Sequence, residues 1–217
     1  MPKVKSNLPP HLYVDLCFTI VKENTTYSFI KRVIQHSGTI PQKILYIFYM
    51  SKFFSAWQML MRPKNYNRTV LLIKLISGFK KKELEKLAHS YAEHALSFNG
   101  RQEIINMITD AKNRNENITI LSASIDPVVK AFAHILTIDY RCSTLRYDNE
   151  VSTGELKFDM TGLKSSYVAT SKHTTMVTDN FEDIEMQEKI NDFYIVLNHP
   201  SHKKFWKTVS CVKGYIL

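Results

Sequence analysis

Cysteine is scarce in this 217-residue chain: Cys17, Cys142 and Cys211 are its three, and no CxxC spacing pairs them. That argues against a disulfide framework or a zinc knuckle and favours a reducing compartment. Glycine and proline are also few, 6 and 7, beside 44% hydrophobic and 23% charged residues, which excludes a low-complexity or disordered chain. No stretch approaches the roughly 20 apolar residues of a spanning helix, and the start, MPKVKSNLPPHLYVDL, lacks the apolar segment of a secretory signal. A soluble, cytoplasmic protein is therefore expected, with peripheral membrane proximity left open. Acidic residues are outnumbered, 20 Asp and Glu against 29 Lys and Arg, and the formal charge of +9 favours an anionic partner. A phosphorylated metabolite, an acidic membrane surface and nucleic acid all fit that sign, but charge alone carries the nucleic-acid case and none is expected.

After the polar leader, LYVDLCFTIV is a β-branched and aromatic run that predicts a buried strand ending near Asp15. From Thr25 to Asn99 the pattern is helical: TYSFIKRVIQH, PQKILYIFYMSKFFSAWQMLM, NRTVLLIKLISGF and KKELEKLAHSYAEHALSF, punctuated by Pro41, Pro63 and Gly78. RQEIINMITDAKNRNEN reads as an amphipathic helix, ITILSAS as a buried strand ending in hydroxyl residues, and DPVVKAFAHIL as a helix opened by Asp126 and Pro127. Residues 138–160 alternate as strands, with turns expected at Asp148–Asn149 and near Gly154. TTMVTD and FYIVLN read as two more buried strands. Asp15, Ser122 and Asp179 thus fall at three strand ends, where open α/β sheets gather their functional groups.

In that order the motifs resemble those of the haloacid dehalogenase superfamily of phosphatases and phosphotransferases. DLCFT corresponds to its D-x-D-x-T, Ser122 in ITILSAS to its strand-end hydroxyl, Lys164 in GLKSSYVATS to its helix-opening lysine, and VTDNFED to its D-x-x-x-D, giving Asp179 and Asp183. Lys172 in TSKHTT is the rival for the lysine. The likeness runs from residue 12 to about 206, and FYIVLNHPSHKKFWK is similar to the closing strand and helix of the phosphoserine phosphatase branch. It implies a Rossmann-like, doubly wound α/β core, residues 1–23 and 100–217, with a helical cap, 24–99, inserted between the first and second motifs. It further implies an aspartyl-phosphate on Asp15 and a phosphoryl hydrogen bond from Ser122, with charge neutralised by Lys164. Mg2+ would be held by Asp15, the backbone carbonyl of Cys17 and Asp179, supported by Asp183. The substrate would be a small or lipid-linked phosphate ester.

One residue departs from the pattern. Where the family's phosphatases have a second Asp, which protonates the leaving oxygen and then activates water, this chain has Cys17, and Phe18 follows in place of the usual Gly. A cysteine titrates near 8.5 and is shorter, and general acid–base catalysis is typically worth ~10²–10⁴ in rate. Slow hydrolysis, phosphate transfer to another acceptor, and phosphate binding without turnover are the three outcomes, the last making the chain an interaction or regulatory protein. The segment DLCFTIVKENTTYSF also resembles a subgroup with D-x-C-x-T followed by N-T-T-aromatic, associated with bacterial surface-polysaccharide gene clusters.

His89 and His94 are five residues apart, which does not set two metal ligands on one helical face, and a surface or packing role is expected. The aromatic and basic stretch ILYIFYMSKFFSAWQMLMRPK is apolar all round and reads as buried cap core; exposed, it would suit lipid.

Overall fold

A computed structural model describes residues 9–61, 67–169 and 171–217. The leader up to residue 8 and Pro63 lie outside the described residues. The chain runs β1 (His11–Val14), α1 (Thr25–Ser37), α2 (Ile40–Met50), α3 (Lys52–Met61), α4 (Arg68–Lys74), α5 (Lys81–Asn99), α6 (Gln102–Asn113), β2 (Asn117–Ile125) and α7 (Asp126–Leu136). The antiparallel hairpin β3 (Asp139–Asp148) and β4 (Val151–Phe158) follows, then β5 (Thr174–Thr178), β6 (Asp192–Val196), α8 (Pro200–Trp206) and β7 (Val212–Ile216). Two 3-10 turns, Lys164–Tyr167 and Phe181–Met186, flank β5.

The strands form one sheet in the order β4-β3-β2-β1-β5-β6-β7, parallel except for the edge strand β4. The architecture is the expected α/β, Rossmann-like sheet flanked by helices. From β1 the chain winds outward through β2 and β3, then returns to lay β5 against the other side of β1. The order reverses at β1 and β5, and the crevice outside the carboxyl ends of such a pair is where doubly wound sheets bind ligands.

Local chemistry explains the helix boundaries near that crevice. Asn24 caps α1 by accepting the Tyr27 N–H at 3.1 Å, and Phe29, Ile30, Val33 and Ile34 turn its apolar face inward. That face meets Tyr91 of α5, which meets Phe132 of α7, with ring centroids 6.1 Å apart in both pairs. Fully burying a side chain of this size contributes about 1.5–3 kcal/mol, so the packing of α1 on α5 and of α5 on α7 holds these helices to the sheet. Residues of α1, α4 and α5 share one buried cluster with β1, β2 and α7.

Four expectations change. Gly154 makes no turn: β4 runs through it at φ +74, and a Cβ there would meet Ser77 Cβ at 2.9 Å and Lys74 Cα at 3.0 Å. The glycine serves a left-handed backbone and a close approach of α4. Strand β2 continues three residues past Ser122, with its register against β3 shifting between Ser122 and Ile125. β7 adds an edge strand beyond α8, past the residues that the resemblance covers. Finally, the apolar stretch of α2 and α3 is not core: α2 buries none of its residues, and Phe53 on α3 is 85% exposed. Apolarity on every side of a helix is equally compatible with a protein core and with an apolar surface, and pattern alone does not tell them apart.

Candidate active site

The register of the sheet assembles the candidate residues. Val14 pairs with Ile120 on one side and Val177 on the other, so Ser122 and Asp179 come out level with each other, one residue beyond Asp15. The Asp15 N–H donates to the Val177 carbonyl at 2.9 Å, fixing β1 to β5 at the crevice itself.

Asp15 is buried, and both its oxygens are engaged. Oδ1 accepts the Leu16 N–H at 2.7 Å and Oδ2 lies 3.0 Å from the Lys164 ammonium. Lys164 opens the first 3-10 turn and also donates to Asp183 Oδ2 at 3.1 Å, an oxygen that accepts the Thr178 hydroxyl at 2.6 Å as well. Burial opposes the charge on Lys164, but the carboxylates of Asp15 and Asp183 outweigh it and raise its pKa above the ordinary lysine value. Of the two candidate lysines, Lys164 is the one that reaches Asp15, and Lys172 is exposed.

Asp179 sits just past β5, its Oδ1 accepting the Thr19 hydroxyl at 3.1 Å and its Oδ2 the Asn198 amide at 3.0 Å. Burial first, and the Asp15 charge second, push its pKa up to about 6. Burial also pushes Asp183 up, against the pull of Lys164 and Thr178. The carboxylates of Asp15, Asp179 and Asp183 thus share this buried region with the ammonium of Lys164.

Ser122 is buried, its oxygen accepting the Ser124 N–H at 3.3 Å, so its own proton can be donated to an anion in the pocket. Cys17 Sγ lies 3.0 Å from Ser124 Oγ and 3.1 Å from Thr25 Oγ1, and accepts the Thr25 N–H at 3.3 Å from the first turn of α1. Burial and then the Asp15 charge raise the thiol's pKa, and the bonds from Ser124 and Thr25 only partly oppose them. The shift favours the neutral thiol over the thiolate. Phe18 holds a left-handed φ of 53, and its carbonyl accepts the Asn198 amide at 3.1 Å. A non-glycine residue there stores about 1–2 kcal/mol of strain.

These residues wall a cavity of about 190 Å³ whose lining includes Asp15, Cys17, Ser122 and Lys164, with Tyr27 from α1 and Thr69 from α4 at its rim. A larger cleft of about 450 Å³ opens at the amino ends of β2 and β3, beside Asn117 and Asp139. No charged side chain in its wall is buried, so the smaller cavity is the candidate site. His89 and His94 are both exposed, His89 beside Glu93 at 3.5 Å and His94 against the Phe98 ring.

The sequence pattern missed the second circle of residues. Ser124 and Thr25 around the thiol, Thr178 on Asp183, and Asn198 on Asp179 carry no motif of their own. The SAS and NTT hydroxyl pairs were the only signal for the first two. Arg101, itself buried, donates to the Asn198 side chain and so orients it.

Fit to a divalent cation rests on charge and donor chemistry. Among the described residues no ready-made cage of three His, Cys, Asp or Glu side chains is present. Mg2+ does not need one: it takes one or two carboxylates and keeps several waters. Asp15 and Asp179, the second of them made costlier to ionise by the charge of the first, offer hard oxygens of that kind.

No protein-family model matches this chain, and no curated protein matches its sequence. Among solved structures it resembles a protein of unknown function from Bordetella pertussis Tohama I, with a TM-score of 0.78 at 9% identity over 97% of this chain and 99% of that one. It also resembles a HAD family hydrolase from Salmonella enterica serovar Typhi, with a TM-score of 0.64 at 15% identity over 97% of this chain and 68% of that one. A phospho-aspartyl intermediate analogue of phosphoserine phosphatase matches with a TM-score of 0.62 at 16% identity, over 97% and 94% of the two chains. The chain has the fold of HAD hydrolases and phosphoserine phosphatases.

Proposed function

We propose that this protein is a phosphatase or phosphotransferase that works through an aspartyl-phosphate on Asp15. The observation that carries this reading is the buried constellation at the switch point: Asp15 bridged by Lys164 to Asp183, with Asp179 and Ser122 one residue further along the neighbouring strands.

In this reading an Asp15 oxygen attacks phosphorus, a P–O bond forms, and the bond to the leaving oxygen breaks. Lys164 and the Ser122 hydroxyl offset charge on the phosphoryl oxygens, a task best done by groups already oriented in a dry site. Water then attacks the phosphorus of the acyl phosphate, releasing phosphate and restoring Asp15. Asp15, Asp179 and the Cys17 carbonyl would hold Mg2+, with Asp183 in support. When bound, that ion supplies Lewis-acid neutralisation of the two meeting anions.

Proton transfer is where Cys17 matters. A neutral thiol held by two hydroxyls is a weak acid toward the leaving oxygen and a poor base toward water. Both half-reactions are slowed, and activated leaving groups suffer least in the first. The same observation favours a second reading, a phosphate-binding protein that turns over little and acts by interaction. Residues 24–99 serve as the cap, with Tyr27 and Thr69 supplying its part of the pocket wall. The substrate class is a small or lipid-linked phosphate ester.

The test is Mg2+-dependent phosphate release from an aryl phosphate and a panel of sugar and lipid phosphates, wild type against Asp15→Asn. Turnover lost in the variant supports the enzyme; phosphate binding with no turnover by either protein supports the second reading.

A further inference from the structure

The helical hairpin formed by α2 and α3 takes no part in the site and shows the solvent an apolar surface. Ile40, Ile44 and Ile47 recur along one side of α2 and are 75%, 61% and 69% exposed; on α3, Phe53, Met59 and Leu60 are 85%, 83% and 82% exposed. Contiguous exposure on this scale marks an interaction surface. The rings of Phe48, Tyr49, Phe54 and Trp57 pack tilted and edge-on through the turn of the hairpin, with successive centroids 5.3–5.8 Å apart, and give it a firm base.

Charge selects the partner. From residue 24 to residue 82 the chain has 11 Lys and Arg and not one Asp or Glu. Lys43 and Lys52 stand exposed among the apolar side chains. A second copy of this chain would set that positive surface against itself, because a two-fold interface pairs a patch with the same patch. An anionic bilayer satisfies both features: its acyl boundary takes the apolar side chains and its headgroups take the lysines. Among the described residues no helix is long and apolar enough to cross a membrane, so the hairpin lies on the surface.

We propose that the α2–α3 hairpin is a docking surface for an anionic lipid bilayer. It is tied to the pocket through α4: the Arg68 guanidinium stacks over Phe54 at 5.6 Å and bonds Ser55 Oγ at 2.6 Å, and the next residue, Thr69, is in the pocket wall. Docking does not depend on the phosphatase reading, and Asp15→Asn is expected to bind lipid as the wild type does.

The experiment is co-sedimentation of the full chain with vesicles of phosphatidylglycerol and phosphatidylcholine, against phosphatidylcholine alone, with the lipid-free mass measured by light scattering. Binding to the anionic vesicles is expected to be at least about tenfold stronger and to fall as salt rises. Ile47→Glu combined with Phe53→Glu, at exposed positions that leave the fold intact by circular dichroism, should weaken it about tenfold. Lys43→Glu with Lys52→Glu, which keeps the apolar side chains, should remove the preference for anionic lipid. Absence of binding to anionic vesicles, or binding that neither pair of substitutions changes, would overturn the proposal. So would a lipid-free dimer that the Ile47 and Phe53 substitutions dissociate while vesicle binding is absent, which would assign the face to a second copy.

Discussion

The carboxyl edge of the sheet and the α2–α3 hairpin use opposite means. At the edge, charged and hydroxyl groups that are costly to bury are buried, and nearly every oxygen named above has a donor within 3.3 Å. On the hairpin, side chains that gain from burial are left in water. Unpaired buried polar groups cost more than their bonds return, so the first arrangement persists only if it is complete. The second persists because the rest of the core, from Phe29 through Tyr91 to Phe132, supplies stability without it. Polar burial and apolar exposure both work against folding, and each points to a task other than holding the chain together.

That contrast can be broken by substitution, and the largest effect belongs to the edge. Asp15→Asn should lower Mg2+-dependent phosphate release by about 10⁴-fold or more, because it removes the attacking group and no neighbour replaces it. The variant should keep its circular dichroism spectrum. Phe29→Ala, in the core between the two regions, should cost about 3–5 kcal/mol in urea unfolding through lost burial and a residual cavity. Lys164→Met leaves the Asp15 and Asp183 carboxylates buried without their shared cation and should cost about 3 kcal/mol by the same measurement. An unchanged midpoint would show that the carboxylates are neutral or solvated in the free protein.

Cys17→Asp should act in the other direction, raising turnover about 10²-fold by restoring a group that gives and takes a proton near neutral pH. The Thr25 N–H and the hydroxyls of Thr25 and Ser124 already stand where a carboxylate would be received. If activity stays flat, proton transfer is not what limits the site. Phe53→Ala is the smallest change, within about 0.5 kcal/mol of wild type, because the side chain meets water on most sides. A loss near that of Phe29→Ala would mean that the hairpin is core after all.

Much of the edge was legible in the sequence because strand ends announce themselves. A β-branched run followed by a carboxylate located Asp15 and Asp179 just past β1 and β5, whereas Ser122 lies inside β2, which runs on to Ile125. Lys164 was harder to place, since its helical turn is only four residues long, and Lys172 offered the same chemistry nearby. The sequence could not tell that Asn198, held by Arg101, would reach Asp179, because those contacts join residues far apart in the chain and leave no periodic trace. The hairpin was misread for a related reason: hydrophobicity reports that a surface seeks cover but not what provides it. The missing acidic residues were the stronger sign, and they gain meaning only once the apolar side chains are seen to face outward.

The account rests on Asp15 accepting phosphate, and the most direct measurement is rapid acid quenching of the wild type with an aryl phosphate and Mg2+, followed by mass spectrometry of the peptide that contains residues 11–20. Phosphate on Asp15 is predicted, longer-lived in the wild type than in Cys17→Asp and absent from Asp15→Asn. Phosphate release with the label on another residue, or with none trapped in either Asp15-containing protein, would contradict it.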